Sequence, residues 1–259
     1  MTDAGTVTLV GGGPGDEALL TAAAVAALSR ADVVLYDRLA PHAHLADFAP
    51  NATLIDVGKR PGHHPIGQKG IEAEIVRHAL AGANVVRLKG GDPYVFGRGS
   101  EEVLACHREG IQVKVIPGVT SAVAVPASVG IPLTHRGVSH MFTVVSGHAP
   151  LTDTEHRHLA GLGGTIVVLM GVGTLPTLTQ GLLREGLASD TPVAIIERGF
   201  SPNQRTTLAD LGSIVHVAAS VEVRSPAVLV IGRVVDLAFE GDLDAGDLMD
   251  RATRMAAFE

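Results

Sequence analysis

The stretch VVRLKGGDPYVFGRGSEE, Val85–Glu102, decides how the chain is read. It opens as an apolar run suited to a strand (Val85, Val86, Leu88), passes through a Gly-Gly-Asp-Pro turn, and leads into a helix predicted to begin near Gly99. Gly90 and Gly91 let the backbone approach a ligand closely, and Pro93 stiffens the turn. Asp92, Arg98, Glu101 and Glu102 set charges around it. A plain strand-to-helix loop would explain the same residues if Ser100, Glu101 and Glu102 only complement the helix dipole.

Working outward, 259 residues with 46% hydrophobic content, 31 Gly and 14 Pro fit a globular α/β chain with many tight turns. No apolar run approaches the roughly 20 residues that span a bilayer, and no basic segment precedes the first apolar one, so a cytoplasmic protein is expected. The single cysteine, Cys106, lies in a helical pattern and is expected to be a packed thiol. No metal site is expected, because the neighbouring His63 and His64 have no suitably spaced partners.

A net charge of −7 and 3% aromatic content argue against a nucleic-acid binder. The charge is uneven, however. Lys59 to Arg98 holds seven basic and three acidic residues, whereas the chain from Asp236 onward holds seven acidic and two basic. A basic window in an acidic protein suits a small polyanionic ligand.

From its start, the chain reads as strand, glycine loop, helix: TVTLV, then GGGPGD, then a helix over roughly Glu17 to Ser29. This partly matches a dinucleotide fingerprint, with Asp37 about where a ribose-binding acid would fall. The match fails at Asp16, which replaces the third glycine, and at Pro14, which removes an N–H donor. The strand ATLIDVG, the polar loop GKRPGHHPIGQ and a helix over Gln68 to Leu80 ended by Gly82 follow. After IQVKVI comes PGVTSAVAVPASVGIPLTHRG, with Thr120 and Ser121 in the first turn of a small-residue helix. Strands MFTVVSGH, GTIVVLMG, TPVAIIERG, RTTLADL and SPAVLVIGRVV make a second half, with helices near Asp153 to Leu162 and Leu175 to Glu185. The expected organisation is an N-terminal α/β domain over 1–117, a C-terminal α/β domain over 118–240, and an acidic tail over 241–259.

Taken in order, VGGGPGD, VLYDRL, GKRPGHH, VVRLKGGDPYVFGRGSEE, VIPGVTSA, GIPLTHRG, VVLMG and IIERG resemble the tetrapyrrole methylases, and within them the branch acting on uroporphyrinogen III. The resemblance covers about residues 6 to 233, with GKR and GDPYVFGRGSEE its most discriminating parts. It departs from the family at DEALLT, where proline commonly follows the first aspartate, at Ala40 and at Ser100.

The resemblance implies two α/β domains with the active site in the cleft between them and S-adenosyl-L-methionine as methyl donor. It also implies two methylations of uroporphyrinogen III, at C2 and C7, giving precorrin-2 and S-adenosyl-L-homocysteine in siroheme and cobalamin biosynthesis. By motif it assigns Pro14, Gly90, Gly91, Asp92, Val95, Thr120, Ser121, Met170 and Gly199 to the cofactor. Asp37 matches the proton acceptor and Lys59 the proton donor, with Arg98 and Glu101 also catalytic, and Arg38, Arg60 and Arg136 on the substrate. A homodimer is implied by the same route. Arginines suit a substrate with eight carboxylates, which they grip bidentately. The competing readings are a family member with another substrate, a dinucleotide oxidoreductase, and a non-catalytic binding domain.

Overall fold

The computed structural model describes residues 4–58 and 67–238. Lys59, Arg60, His63, His64 and the acidic segment 241–259 therefore lie outside the described residues. Contacts divide the chain into two compact α/β units between Ser121 and Ala122.

In the first unit the elements alternate in the manner of a parallel α/β sheet. They are β1 (Thr6–Gly11), α1 (Ala22–Leu28), β2 (Val33–Tyr36), α2 (Leu45–Phe48), β3 (Thr53–Asp56), α3 (Gln68–Leu80), β4 (Val85–Lys89), α4 (Gly99–Arg108) and β5 (Gln112–Ile116). All five strands are parallel, in the order β3-β2-β4-β1-β5. One face packs Val10, Val34, Val86 and Leu88 against Ala24, Leu28 and Leu45 of α1 and α2. The other packs Leu9, Leu35 and Val85 against Ile75 and Ala79 of α3 and Cys106 of α4. The adjacent strands β1 and β4 thus send their chains to opposite faces, the arrangement that opens a crevice at the carboxyl ends of a parallel sheet.

The helix expected over Glu17 to Ser29 is broken in two. Asp16 accepts from Ala18 N at 2.9 Å and caps a 3-10 turn, Glu17–Leu19, while Thr21 accepts from Ala24 N at 3.1 Å and starts α1 afresh. Two short polar side chains competing for backbone N–H groups outweigh the continuous helical propensity of the segment. Cys106 is fully buried. Burial, reinforced by the charge of Glu102, pushes its thiol up to about 11.

The second unit contains α5 (Ser121–Ala127), which begins at the dividing point, then β6 (Phe142–Ser146), α6 (Asp153–Leu162), β7 (Thr165–Leu169), α7 (Leu175–Arg184), β8 (Pro192–Glu197), β9 (Arg205–Asp210), α8 (Ile214–Ser220) and β10 (Ala227–Ile231). Its sheet, β6-β7-β10-β8-β9, is mixed: β6 and β7 run parallel, and β10 runs against both β7 and β8. Leu159, Leu175, Leu178, Leu182, Ile214 and Ala218 from α6, α7 and α8 bury one face of it against Val168, Ile195 and Leu229. A capping box starts α6, with Thr152 Oγ1 accepting from Glu155 N and Glu155 Oε2 accepting from Thr152 N at 2.7 Å. The sequence reading gave α8 no place. Its first turn, IVHV, is made of weak helix formers, and Ile214 and Ala218, one turn apart, dock it on the core. No helix among the described residues is long and apolar enough to cross a membrane.

Candidate active site

The carboxyl edge of the first sheet is built almost wholly from backbone. Gly12 N donates to Lys89 O at 2.7 Å, and Gly13 and Gly91 exchange both their N–H···O bonds, so the loops after β1 and β4 are joined. Three glycines close this edge. A Cβ on Gly118 would lie 2.6 Å from Gly11 Cα and closer still to the Gly91 carbonyl, and one on Gly11 would lie 2.8 Å from that same oxygen. No side chain fits at these positions. Gly91 itself, at φ 68°, has open space where its Cβ would stand, the nearest atom being Ser121 N at 3.9 Å. Backbone peptide groups therefore face an open notch beside Gly91, a shape that suits close approach of a ligand.

Around this notch the first unit gathers many of the residues expected at the site. Pro14 follows Gly13, Thr120 and Ser121 follow the Pro117-Gly118 turn, and Val95 sits half-buried with its N–H on Asp92 O at 3.3 Å. Gly90 packs on Leu39, whose Cβ would be 2.7 Å from an added Cβ. Asp92 holds the edge together: Oδ1 accepts from Tyr94 N at 2.8 Å and Oδ2 from Gly118 N at 3.1 Å. The loop then runs through Phe96 and Arg98 in left-handed conformations, φ 53° and 58°, a strain of the kind that gathers at functional sites.

The charges are arranged differently from the sequence expectation of a free basic window. Arg87 and Lys89 alternate with apolar residues on β4 and are both buried. Their counter-charge is Glu102, fully buried in the first turn of α4, whose Oε1 accepts from Arg87 Nε at 3.1 Å and Lys89 Nζ at 3.0 Å. Gln68 Nε2 approaches the same oxygen at 3.5 Å. Burial, with Arg87 beside it, pushes the Lys89 ammonium below its usual range, while Glu102 opposes that shift. Arg87 also donates to the carbonyls of Leu35 and Leu88 and, through its NH2 group, to Asp37 Oδ2 at 3.2 Å. Asp37, at the end of β2, accepts from Leu39 N and Ala40 N on its other oxygen, both at 3.1 Å.

Arg98 and Glu101 form an exposed bidentate pair, Nε–Oε1 2.8 Å and NH2–Oε2 2.7 Å. The Arg98 guanidinium holds the Glu101 carboxyl below the usual carboxylate range. Arg77 is exposed on α3 and paired with Glu74. Arg38 and Arg136 are exposed, and neither side chain makes a hydrogen bond or ion pair among the described residues. Glu102, expected from sequence either among the charges around the glycine turn or as a helix-dipole partner, is instead a buried counter-charge. Its signal was the VxRxK alternation, which puts two cations on one face of an apolar strand and so demands a buried anion.

Met170, Gly199 and Arg136 belong to the second unit. Because β10 opposes both β7 and β8, the carboxyl ends of β7 and β8 lie on one edge of that sheet. Met170 follows β7 at φ 58°, and Gly199 follows β8 between Arg198 (50°) and Phe200 (60°). A side chain on Gly199 would run into Val125 of α5 at 2.6 Å. Glu197, buried, anchors this turn, accepting from Arg205 Nε at 2.6 Å and Arg224 N at 2.9 Å. Burial works to raise its carboxyl, but the hydrogen bonds of Arg205 and Arg224 and the charges of Arg205 and Arg198 outweigh burial and hold it below its usual range. Arg136 lies in a tight turn in which His135 and Ser139 exchange backbone hydrogen bonds at 2.9 Å. Among the described residues no three His, Cys, Asp or Glu side chains group to hold a metal ion.

A parallel sheet with a glycine-built carboxyl edge, followed by a mixed α/β unit, is an α/β architecture of the kind that binds small ligands at its strand ends. The chain belongs to the tetrapyrrole (corrin/porphyrin) methylases, whose pattern matches residues 6–215. It is 47% identical to the uroporphyrinogen-III C-methyltransferase of Methanocaldococcus jannaschii over 90% of this chain and 98% of that protein. The chloroplastic S-adenosyl-L-methionine-dependent uroporphyrinogen III methyltransferase of Arabidopsis thaliana is also 47% identical over 90% of this chain, which spans 64% of the plant protein's length. The crystal structure of the Thermus thermophilus uroporphyrin-III C-methyl transferase complexed with S-adenyl homocysteine matches with a TM-score of 0.76 at 43% identity, covering 90% of this chain and 100% of that one.

Proposed function

We propose that the chain is an S-adenosyl-L-methionine-dependent C-methyltransferase that methylates uroporphyrinogen III twice, at C2 and C7, to give precorrin-2 for siroheme and cobalamin biosynthesis. What carries the reading is the 47% identity to an archaeal uroporphyrinogen-III C-methyltransferase that this chain covers over 98% of its length. The glycine edge agrees with it. Methyl transfer from a sulfonium needs donor and acceptor carbon held in line and water kept away, rather than an elaborate set of acids and bases.

When bound, the cofactor supplies an activated methyl group on sulfur. Gly90, Gly91, Val95, Thr120 and Ser121 would hold it against the backbone notch together with Pro14, and Met170 and Gly199 are the second unit's residues assigned to the cofactor. Asp92 supports that notch chiefly by fixing Gly118 N and Tyr94 N. Arg38 and Arg136, whose guanidinium groups are uncommitted among the described residues as is that of Arg108 at the far end of α4, bind substrate carboxylates first. Arg98 joins them by exchanging Glu101 for a substrate carboxylate of like geometry, and Lys59 and Arg60 add to the same charge. Asp37 takes the ring proton. While it is paired with Arg98, Glu101 is held below the usual carboxylate range and is a poor base. The proposal includes a cytoplasmic homodimer, and light scattering that gave a monomer at working concentration would remove the dimer from it.

Anaerobic incubation with uroporphyrinogen III and S-adenosyl-L-methionine should yield a species heavier by two methyl groups, and no such species would end the substrate assignment. S-adenosyl-L-homocysteine should raise the melting temperature while NAD leaves it unchanged. The reverse pattern favours a dinucleotide enzyme.

A further inference from the structure

Four ionised side chains meet beneath the glycine edge: Asp37, Arg87, Lys89 and Glu102. Stability is a poor explanation for them, since a buried ion pair is often no better than apolar residues of the same volume. Geometry explains them better. Arg87 is already bound to Glu102 and to the Leu35 and Leu88 carbonyls, yet its NH2 group reaches Asp37 Oδ2. With Leu39 N and Ala40 N on Oδ1, that bond gives the Asp37 carboxylate a third fixed donor and so a single orientation. At the other end, Glu102 is the neighbour of Glu101, in the helical turn that Arg98 caps. The planar fork of Arg87 therefore spans the distance between the end of β2 and the first turn of α4.

We infer that Arg87 and Glu102 are positioning residues for the reaction, a buried strut that fixes the Asp37 carboxylate relative to the α4 turn carrying Arg98 and Glu101. The inference rests on the reading above in which Asp37 takes the proton. Neither residue touches substrate. They act by holding a base in register with a substrate-binding turn, and a misplacement of about 1 Å at such a point costs on the order of 100-fold in rate.

The test compares Arg87→Lys and Glu102→Gln with the unaltered chain in kcat and KM for both substrates, in S-adenosyl-L-homocysteine affinity, and in hydrogen exchange at the Leu39 and Ala40 amides. Glu102→Gln keeps shape and volume and serves alone if Arg87→Lys does not fold. The expected result is a kcat lower by about tenfold or more, with KM and S-adenosyl-L-homocysteine affinity changed by less than about threefold, and faster exchange at both amides. Leu182→Ala, buried in the other unit, should lower the melting temperature while leaving kcat and those two amides unchanged. Variants that keep kcat while Asp37→Asn loses it would overturn the strut and leave the methyltransferase reading intact. If the unaltered chain transfers no methyl group, the proposed function falls instead, and the exchange measurement still decides: unchanged Leu39 and Ala40 amides overturn the strut.

Discussion

In the parallel sheet all five strands end on one edge, whereas in the mixed sheet β10 runs against its neighbours and leaves β7 and β8 to present Met170 and Gly199. The first edge achieves its shape by removing side chains, with Gly11, Gly91 and Gly118 in mutual backbone contact. The second has one glycine contact, Gly147 on Gly171, and otherwise keeps its side chains and bends the backbone: Met170, Arg198 and Phe200 all take left-handed conformations, each at about 1–2 kcal/mol. Beneath the first lie two cations and two anions. Beneath the second lies one buried carboxylate, Glu197, drawing on donors from Arg205 and Arg224. An edge made of backbone is rigid but intolerant, while one made of strained side-chain-bearing residues depends on an anchor that can be titrated.

The contrast breaks most visibly at the glycines. Gly118→Ala must push apart backbone of two neighbouring loops and should cost about 3 kcal/mol, whereas Gly199→Ala meets only the methyls of Val125 and should cost about 1–2 kcal/mol. Urea midpoints measure both, and equal losses would erase the distinction. Next come the surface cations. Arg98→Ala and Arg136→Ala should lower kcat/KM by about tenfold or more, and Arg77→Ala, on a solvated face of α3, by less than about twofold. Equal effects at all three would mean that charge acts only through its overall field.

The smallest effect concerns the anchor. The folded Glu197 carboxyl lies below its unfolded value, so its contribution is complete above about pH 4.3 and fades as pH falls through the folded value. Glu197→Gln should therefore cost about 1 kcal/mol at pH 7 and make the acid side of the stability curve shallower. An unchanged slope between about pH 5 and 3 would remove Glu197 from the acid response.

Much of this was legible because the signals were local. Gly82 ends α3 at φ 90°, and the predicted span Gln68 to Leu80 is the observed one. Runs such as TIVVL and PVAIIE are buried strands in the structure at every position. The glycine turns at Gly90-Gly91 and Pro117-Gly118 marked the site edge, but their closest partner, Gly11, is distant in sequence, and no spacing rule connects the three. Charge was the least legible quantity. Counting Lys and Arg along the chain gave a basic window, yet Arg77, Arg87, Lys89 and Arg98 each meet a carboxylate once the strand and helices assemble. Net charge adds along a sequence, whereas free charge depends on what lies opposite, and only the fold supplies that.

The mutual packing of Gly11, Gly91 and Gly118 also bears on how such an enzyme can diversify. Gly11 and Gly118 admit no side chain and Gly91 holds a left-handed φ of 68° that favours glycine, so none of the three is free to reshape a pocket, and a lineage moving toward another acceptor has to vary the composition and length of the loops that project from this edge. Gene libraries aimed at altered acceptor choice would do best to leave these three codons and that of Val95 untouched and randomise Tyr94 and Phe96, whose side chains already face solvent.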